Sequence, residues 1–276
     1  MTIRIHPINT GRVALRPSQE RRGPLGPLGV LLDRDWTDWR PILAWLIDHP
    51  EGPILVDTGE TASVMRPGYL PRWHPFFRLA VRFDITPEQE IGPQLRALGC
   101  TKGDLRCVVL THLHTDHAGG LAHVAGCPTL VSPAELAVAS GAAGRLRGYL
   151  PHRWPADFSP QPIGFTPMAL GPFQEGLVLT RAGDVVVVPT PGHTPGHVSV
   201  VVRCDGFNIL IAGDTSYAEQ GLSEGLADGV TPTPALELAT LARIRGWAET
   251  EPMIYLPSHD PQAPARLAAS LPVFPR

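Results

Sequence analysis

One stretch constrains this chain more than any other: Thr111-His112-Leu113-His114-Thr115-Asp116-His117-Ala118-Gly119-Gly120. It follows Cys107-Val108-Val109-Leu110, a short apolar run that reads as a buried strand. Three imidazoles and a carboxylate crowd into six residues, and burying such groups unpaired is costly. They are good ligands for a divalent ion, since imidazole and carboxylate both suit Zn2+ and its neighbours. His112 and His114 stand two apart at a strand end and are expected to face the same way. Asp116 and His117 follow where the chain turns, and can serve a second, neighbouring point.

The same placement recurs three times. The apolar run Val185–Pro189 leads into Thr190-Pro191-Gly192-His193-Thr194-Pro195-Gly196-His197. Ile209-Leu210-Ile211-Ala212 ends in Gly213-Asp214-Thr215-Ser216-Tyr217, and Met253–Pro257 ends in Ser258-His259. Each puts a ligand-capable residue just past a buried strand, where α/β scaffolds gather their sites. Of eleven histidines, His112, His114, His117, His193 and His259 follow this pattern. With Asp116 and Asp214 they make seven ligands, enough for two metal ions. His197 is expected to act behind the ligands or in the turn. His6, His49, His74, His123 and His152 have no partner visible in the sequence and are taken as surface or satisfied core residues.

The remaining chain reads as mixed α/β. Strand-like runs fall at 2–8, 11–15, 29–32, 42–47, 53–57, 106–111, 129–132, 177–180, 184–189, 198–203, 208–212 and 253–257. Helices are expected over 86–98, from Ser132-Pro133-Ala134-Glu135 onward, and over 233–250, the first two opening on capping signatures. Glycine and proline, 28 and 31 of 276 residues, imply long ordered loops and exclude a coiled coil or simple bundle. The stretches 66–83 and 147–172 are proline-rich and irregular. Hydrophobic residues at 43% against 18% charged suit a packed core and exclude a disordered chain. No repeat or low-complexity linker divides the sequence, so one domain spanning 1–276 is expected. A net charge of −3 without a basic stripe argues against nucleic acid, and no apolar run is long enough for a membrane span. The N-terminus lacks the apolar stretch of a signal peptide. Cys100, Cys107, Cys127 and Cys204 show no CxxC spacing and are read as reduced thiols of a cytoplasmic protein.

The HxHxDH–His–Asp–His series, in this order and with these strand contexts, resembles the metallo-β-lactamase superfamily over essentially the whole chain. Pro53-Ile54-Leu55-Val56-Asp57-Thr58-Gly59 is similar to its early strand-and-turn motif, in which the aspartate supports the metal site from behind. The resemblance implies an αββα sandwich with its site along one edge of the sheets. It also implies two divalent ions, zinc first and iron, cobalt or manganese as alternatives. His112, His114 and His193 would hold one ion, Asp116, His117 and His259 the other, and Asp214 would bridge them.

Within that superfamily the bridging residue is an aspartate and no cysteine is a ligand, unlike many class B β-lactamases. The Asp-Thr-Ser-Tyr continuation differs from the glyoxalase II pattern. A tyrosine three residues past the bridging aspartate, with Ser-His much later, is similar to the N-acyl homoserine lactonases. That likeness implies lactone opening by a hydroxide bridging the metals, with Tyr217 on the substrate oxygen and Asp116 as proton shuttle, and hence quorum quenching. A phosphotriesterase, or another ester or thioester hydrolase using the same two metals, is the alternative. Segments 23–39 and 69–77 lie where this family builds an apolar acyl-chain pocket and a dimer contact, implying Trp36, Trp73, Phe76 and Phe77 as lining and a homodimer. Thr115 is small and polar where some lactonases carry a bulky aromatic.

Overall fold

The computed structural model describes residues 3–141 and 143–274. It divides the chain into two compact units: Arg34–Pro162 with the residues up to Arg16, and the residues from Ile163 onward with the early segment Pro17–Asp33.

The first unit is built on a seven-stranded sheet. Its strands are β1 (Arg4–Leu15), β2 (Arg40–Asp48), β3 (Ile54–Val56), β4 (Val81–Asp84), β5 (Cys107–Val109), β6 (Thr129–Val131) and β7 (Gln161–Pro162), in the order β4-β1-β2-β3-β5-β6-β7. The pairs β4–β1, β1–β2 and β2–β3 are antiparallel, whereas β3–β5, β5–β6 and β6–β7 are parallel. Interior strands of a parallel set are covered on both faces, and the fully buried Cys107-Val108-Val109 obeys that rule. The motif that begins at Thr111 therefore leaves the carboxyl end of an interior strand. Beneath it Leu55, Ile91, Val108, Leu110, Leu113 and Leu121 pack into one core.

The second unit carries a six-stranded sheet. Its strands are β8 (Thr166–Leu170), β9 (Phe173–Val178), β10 (Val185–Pro189), β11 (Val198–Cys204), β12 (Phe207–Gly213) and β13 (Met253–Pro257), in the order β13-β12-β11-β10-β9-β8. All pairs are antiparallel except β12 with β13. The parallel pair sets Gly213 opposite Pro257, and the Ser258 N–H donates to the Gly213 carbonyl (3.0 Å). That register brings Asp214 and His259 out of the sheet side by side. The helix Pro234–Thr250 covers this sheet with Leu241, Ile244 and Trp247 against Val186, Val188 and Val201.

Several expectations are corrected. Residues 29–32 are not a strand but the end of a helix, Pro27–Leu32. A short apolar run does not declare its period, and Pro27 in the first turn favours the helix. The helix expected over 86–98 is a 3-10 turn, Pro87–Gln89, followed after an extended Glu90 by the helix Ile91–Ala97. The capping box between Thr86 and Gln89 does form. A continuous helix would set the Pro93 ring against the carbonyl four residues earlier. The runs 2–8 and 11–15 join in β1 through an irregularity between Asn9 and Arg12, where Gly11 takes φ +135°; Thr2 lies outside the described residues. Strand β8 was missed because Pro167 breaks its pattern, which an edge strand tolerates. All four cysteines are free thiols, Cys100 and Cys107 buried and the other two partly so. No helix among the described residues is long and apolar enough to cross a membrane.

Candidate metal centre

In the first unit the motif residues converge tightly. His112 Nε2 and His114 Nδ1 lie 3.1 Å apart. Two imidazoles sharing one tetrahedral ion, with bonds of about 2.0–2.1 Å, would stand roughly 3.3 Å apart. The far edge of each ring is anchored: His112 Nδ1 by the Thr111 hydroxyl (3.1 Å) and His114 Nε2 by the Arg147 carbonyl (3.2 Å). Asp116 and His117 open the short helix Thr115–Ala118, with Asp116 Oδ1 4.0 Å from His117 Nε2. Ligand atoms of His112 and His117 lie within 4.8 Å of each other.

Asp57 stands behind them. Its Oδ1 accepts the Thr111 N–H (2.7 Å), and its Oδ2 takes the Thr111 hydroxyl (2.8 Å) and His117 Nδ1 (2.8 Å). Asp57 is held at φ +61°, a left-handed conformation that non-glycine residues rarely adopt. Its three side-chain bonds offset that strain and turn His117 Nε2 outward, the arrangement that orients metal-binding histidines.

In the second unit Asp214 Oδ2 sits between two imidazoles, 3.6 Å from His193 Nε2 and 3.5 Å from His259 Nε2. His193 Nδ1 is bound by Asp228 Oδ2 at 2.5 Å. Burial opposes a charged imidazole there, but the Asp228 carboxylate outweighs it and holds His193 at about 9. His197 Nε2 accepts the Asp214 N–H (3.0 Å), so its proton is on Nδ1, bound to Thr190 Oγ1 (2.9 Å). Tyr217 is buried, its ring stacked on His259 at 5.6 Å and edge-on to His193 at 6.0 Å. This donor set, with imidazoles backed by carboxylates and a carboxylate between two of them, fits divalent metal.

Four supporting carboxylates escaped the sequence reading. Glu135, read as a helix-start acid, accepts the Leu113 N–H (3.0 Å) and the Tyr149 hydroxyl (2.9 Å), bracing the loop between His112 and His114. Glu60 accepts the Thr115 hydroxyl (2.5 Å) and the Thr61 N–H (2.8 Å); burial nevertheless pushes its carboxyl up to about 8. Asp228 also takes the Val230 N–H, and Glu237 accepts the Asp228 N–H (3.1 Å). Burial and the neighbouring Asp228 push Glu237 up to about 8. The helix that carries Glu237 also pins Pro191 through Thr240, and a methyl group at Gly192 would come within 2.6 Å of Glu237 Cα. Of these four, only Glu135 carries a signal read in the sequence, Ser132-Pro133-Ala134-Glu135, and it reads as cap chemistry.

The aromatic candidates are placed in the first unit. Trp36 is clamped between the guanidinium groups of Arg16 (3.7 Å) and Arg82 (3.9 Å). Trp73 is exposed, and Phe76 and Phe77 pack on each other and on the buried His74 in the helix Pro75–Leu79. His74 bonds the Leu146 carbonyl, and His123 pairs with Glu90 at 2.6 Å.

The model of the metallo-β-lactamase superfamily matches residues 37–259. The chain belongs to that superfamily and has its fold, an α/β architecture of two mixed sheets with flanking helices. An N-acyl homoserine lactonase of Bacillus thuringiensis is 27% identical over 228 residues, 80% of this chain and 81% of the relative. The N-acyl homoserine lactonase AttM of Rhizobium radiobacter is 26% identical over 81% of this chain and 83% of its own length. A solved N-acyl homoserine lactone hydrolase, with N-hexanoyl-L-homoserine at its catalytic metal centre, matches with TM-score 0.74 and 24% identity. It covers 100% of this chain and 99% of that one.

Proposed function

We propose that this protein hydrolyses the lactone ring of N-acyl homoserine lactones with two divalent metal ions, zinc in the first instance, and so quenches quorum signals. The observation that carries the reading is Tyr217: a hydroxyl-bearing ring three residues past Asp214, stacked on His259 and edge-on to His193. The named activity of the Bacillus and Rhizobium relatives supports it. The two compact units act as one hydrolase domain over 1–276. His112, His114 and His193 would hold one ion, Asp116, His117 and His259 the other, and Asp214 would serve both. Bound there, the ions supply Lewis acidity and a water nucleophile at neutral pH.

The chain's own groups do the rest. Asp57 and Asp228 turn the Nε2 atoms of His117 and His193 toward the ligand site, and His197 fixes Asp214 through its backbone. The Tyr217 hydroxyl donates to the ester carbonyl oxygen as negative charge develops there; removing one such donor typically costs about 10²–10³ in rate. An Asp116 carboxylate oxygen takes the proton released by the attacking water. It returns that proton to the ring oxygen as the acyl C–O bond breaks. The product is the open N-acyl homoserine, whose new carboxyl ionises and releases one proton. Trp73, Phe76 and Phe77 supply apolar wall for an acyl chain, Trp36 contributes its ring edge, and Thr115 adds a small side chain whose hydroxyl is given to Glu60. Exposed Leu25, Leu28 and Leu32, around the helix Pro27–Leu32, favour a homodimer. The free thiols suit a reducing cytoplasm.

A pH-indicator assay of metal-replete protein on short- and long-chain N-acyl homoserine lactones, with a paraoxon-type phosphotriester in parallel, tests this. Lactone turnover that chelation abolishes is expected. Strong phosphotriester turnover with weak lactone turnover overturns the reading.

A further inference from the structure

We infer that Gln19 is a positioning residue for Tyr217: its side-chain amide decides the direction in which the phenol gives its proton. The inference rests on the lactonase reading above. Gln19 lies 198 residues before Tyr217, yet its Nε2 donates to the Tyr217 hydroxyl oxygen at 2.8 Å, and both side chains are buried.

The contact is built into the second unit by main-chain bonds. The Gly229 N–H donates to the Gln19 carbonyl (2.8 Å), and the Arg22 N–H donates to the Ala227 carbonyl (2.9 Å). The Arg22 guanidinium reaches the carbonyls of Gly229 (3.4 Å) and Thr231 (3.2 Å). The approach is so close that any Cβ at Gly229 would overlap the Ser18 carbonyl oxygen. These bonds bracket Asp228, the partner of His193, so the segment Pro17–Asp33 supports two site residues at once.

The amide's orientation follows from hydrogen-bond accounting. Gln19 Oε1 has no hydrogen-bond partner among the described residues. Flipping the amide would leave the buried NH2 group unsatisfied instead of a carbonyl, and orphaned buried donors are the rarer case. A phenol has one proton. Once its oxygen accepts from Gln19, that proton must be given elsewhere, and accepting a bond also strengthens the phenol as a donor. Tyr217 is thereby committed as a donor, and on the lactonase reading the developing oxyanion is what receives its proton.

Four variants and one spectrum test this. Gln19→Leu removes the amide but keeps every main-chain bond, and Gln19→Glu is nearly isosteric but ionised, so it would draw the phenol's proton toward itself. With metal content and Tm unchanged, Gln19→Leu is expected to lower kcat about fivefold to tenfold at constant KM, the scale of one net hydrogen bond. Gln19→Glu should fall as far as Tyr217→Phe. Added to Tyr217→Phe, Gln19→Leu should change nothing further, because no hydroxyl remains to be oriented. The 13Cζ resonance of Tyr217, assigned by its absence in Tyr217→Phe, should move in both Gln19 variants with or without metal. An unmoved resonance, wild-type kcat in Gln19→Leu, or an equal loss in the Tyr217→Phe background overturns the inference while leaving the lactonase reading standing. Wild-type lactone kinetics in Tyr217→Phe overturns the assigned role of Tyr217 and this inference with it.

Discussion

The two units carry their shares of the candidate metal ligands in opposite ways. In the first, His112, His114, Asp116 and His117 come from one turn after one strand, clasped from behind by Asp57. In the second, His193, Asp214 and His259 come from the ends of three separate strands, and only the β12–β13 register sets Asp214 beside His259. The first arrangement is a local motif whose geometry follows from its spacing. The second is a product of sheet topology, and its supports arrive from loops and from the far end of the sequence. A local motif is robust to changes elsewhere; a dispersed one is exposed to any change that shifts a strand end.

Four substitutions sharpen that contrast. Asp214→Ala should be the most severe, because a single oxygen stands between both imidazoles of the second unit. Metal per chain, measured by mass spectrometry, should fall toward zero with activity, whereas His114→Ala should retain about half the metal. Equal retention in the two variants would show that Asp214 does not serve both ions. Asp57→Asn and Asp228→Asn come next, each expected to weaken metal binding about 10–100-fold in chelator competition, the usual cost of losing a partner behind a ligand. Asp57→Asn should also lower Tm, since the carboxylate holds three bonds across a local clasp. If Asp228→Asn lowers Tm more, the dispersed half is the more tightly braced.

The smallest expected effect is a pH slope. Burial holds the Glu60 carboxyl at about 8 rather than its ordinary 4.5. Between those values the folded chain keeps a proton that the unfolded chain has lost, so stability should fall as pH rises from about 4.5 through about 8. In metal-free protein, Tm measured across that window should decline less steeply for Glu60→Gln, which mimics the protonated acid. An identical slope in both proteins would remove Glu60 as the source.

The contrast also explains what the sequence could disclose. The HxHxDH run and the apolar strands before His193, Asp214 and His259 were legible because ligand chemistry and buried periodicity are both local. The mixed α/β class followed from the same strands, whereas the two-sheet sandwich came from the family resemblance. Glu60, Glu135, Asp228 and Glu237 were not legible, because an acid behind a ligand looks like any acid in a turn or first helical turn until the chain is folded. The strand misread at 29–32 failed for a related reason, since four apolar residues carry no period. Gln19 gave no local sign, because its partner is 198 residues away.

That distance has a consequence for how the chain is made. The ribosome releases residues 17–33 before any strand of the unit to which they belong has been synthesised. The early segment must wait, with Val30 uncovered, until the loop around Ala227 and Gly229 exists to receive it. Strict domain-by-domain folding from the N-terminus is therefore closed to this chain. A fragment cut before Ile163 and expressed alone lacks the piece that closes over Tyr217, and supplying residues 17–33 as a separate peptide becomes a complementation experiment.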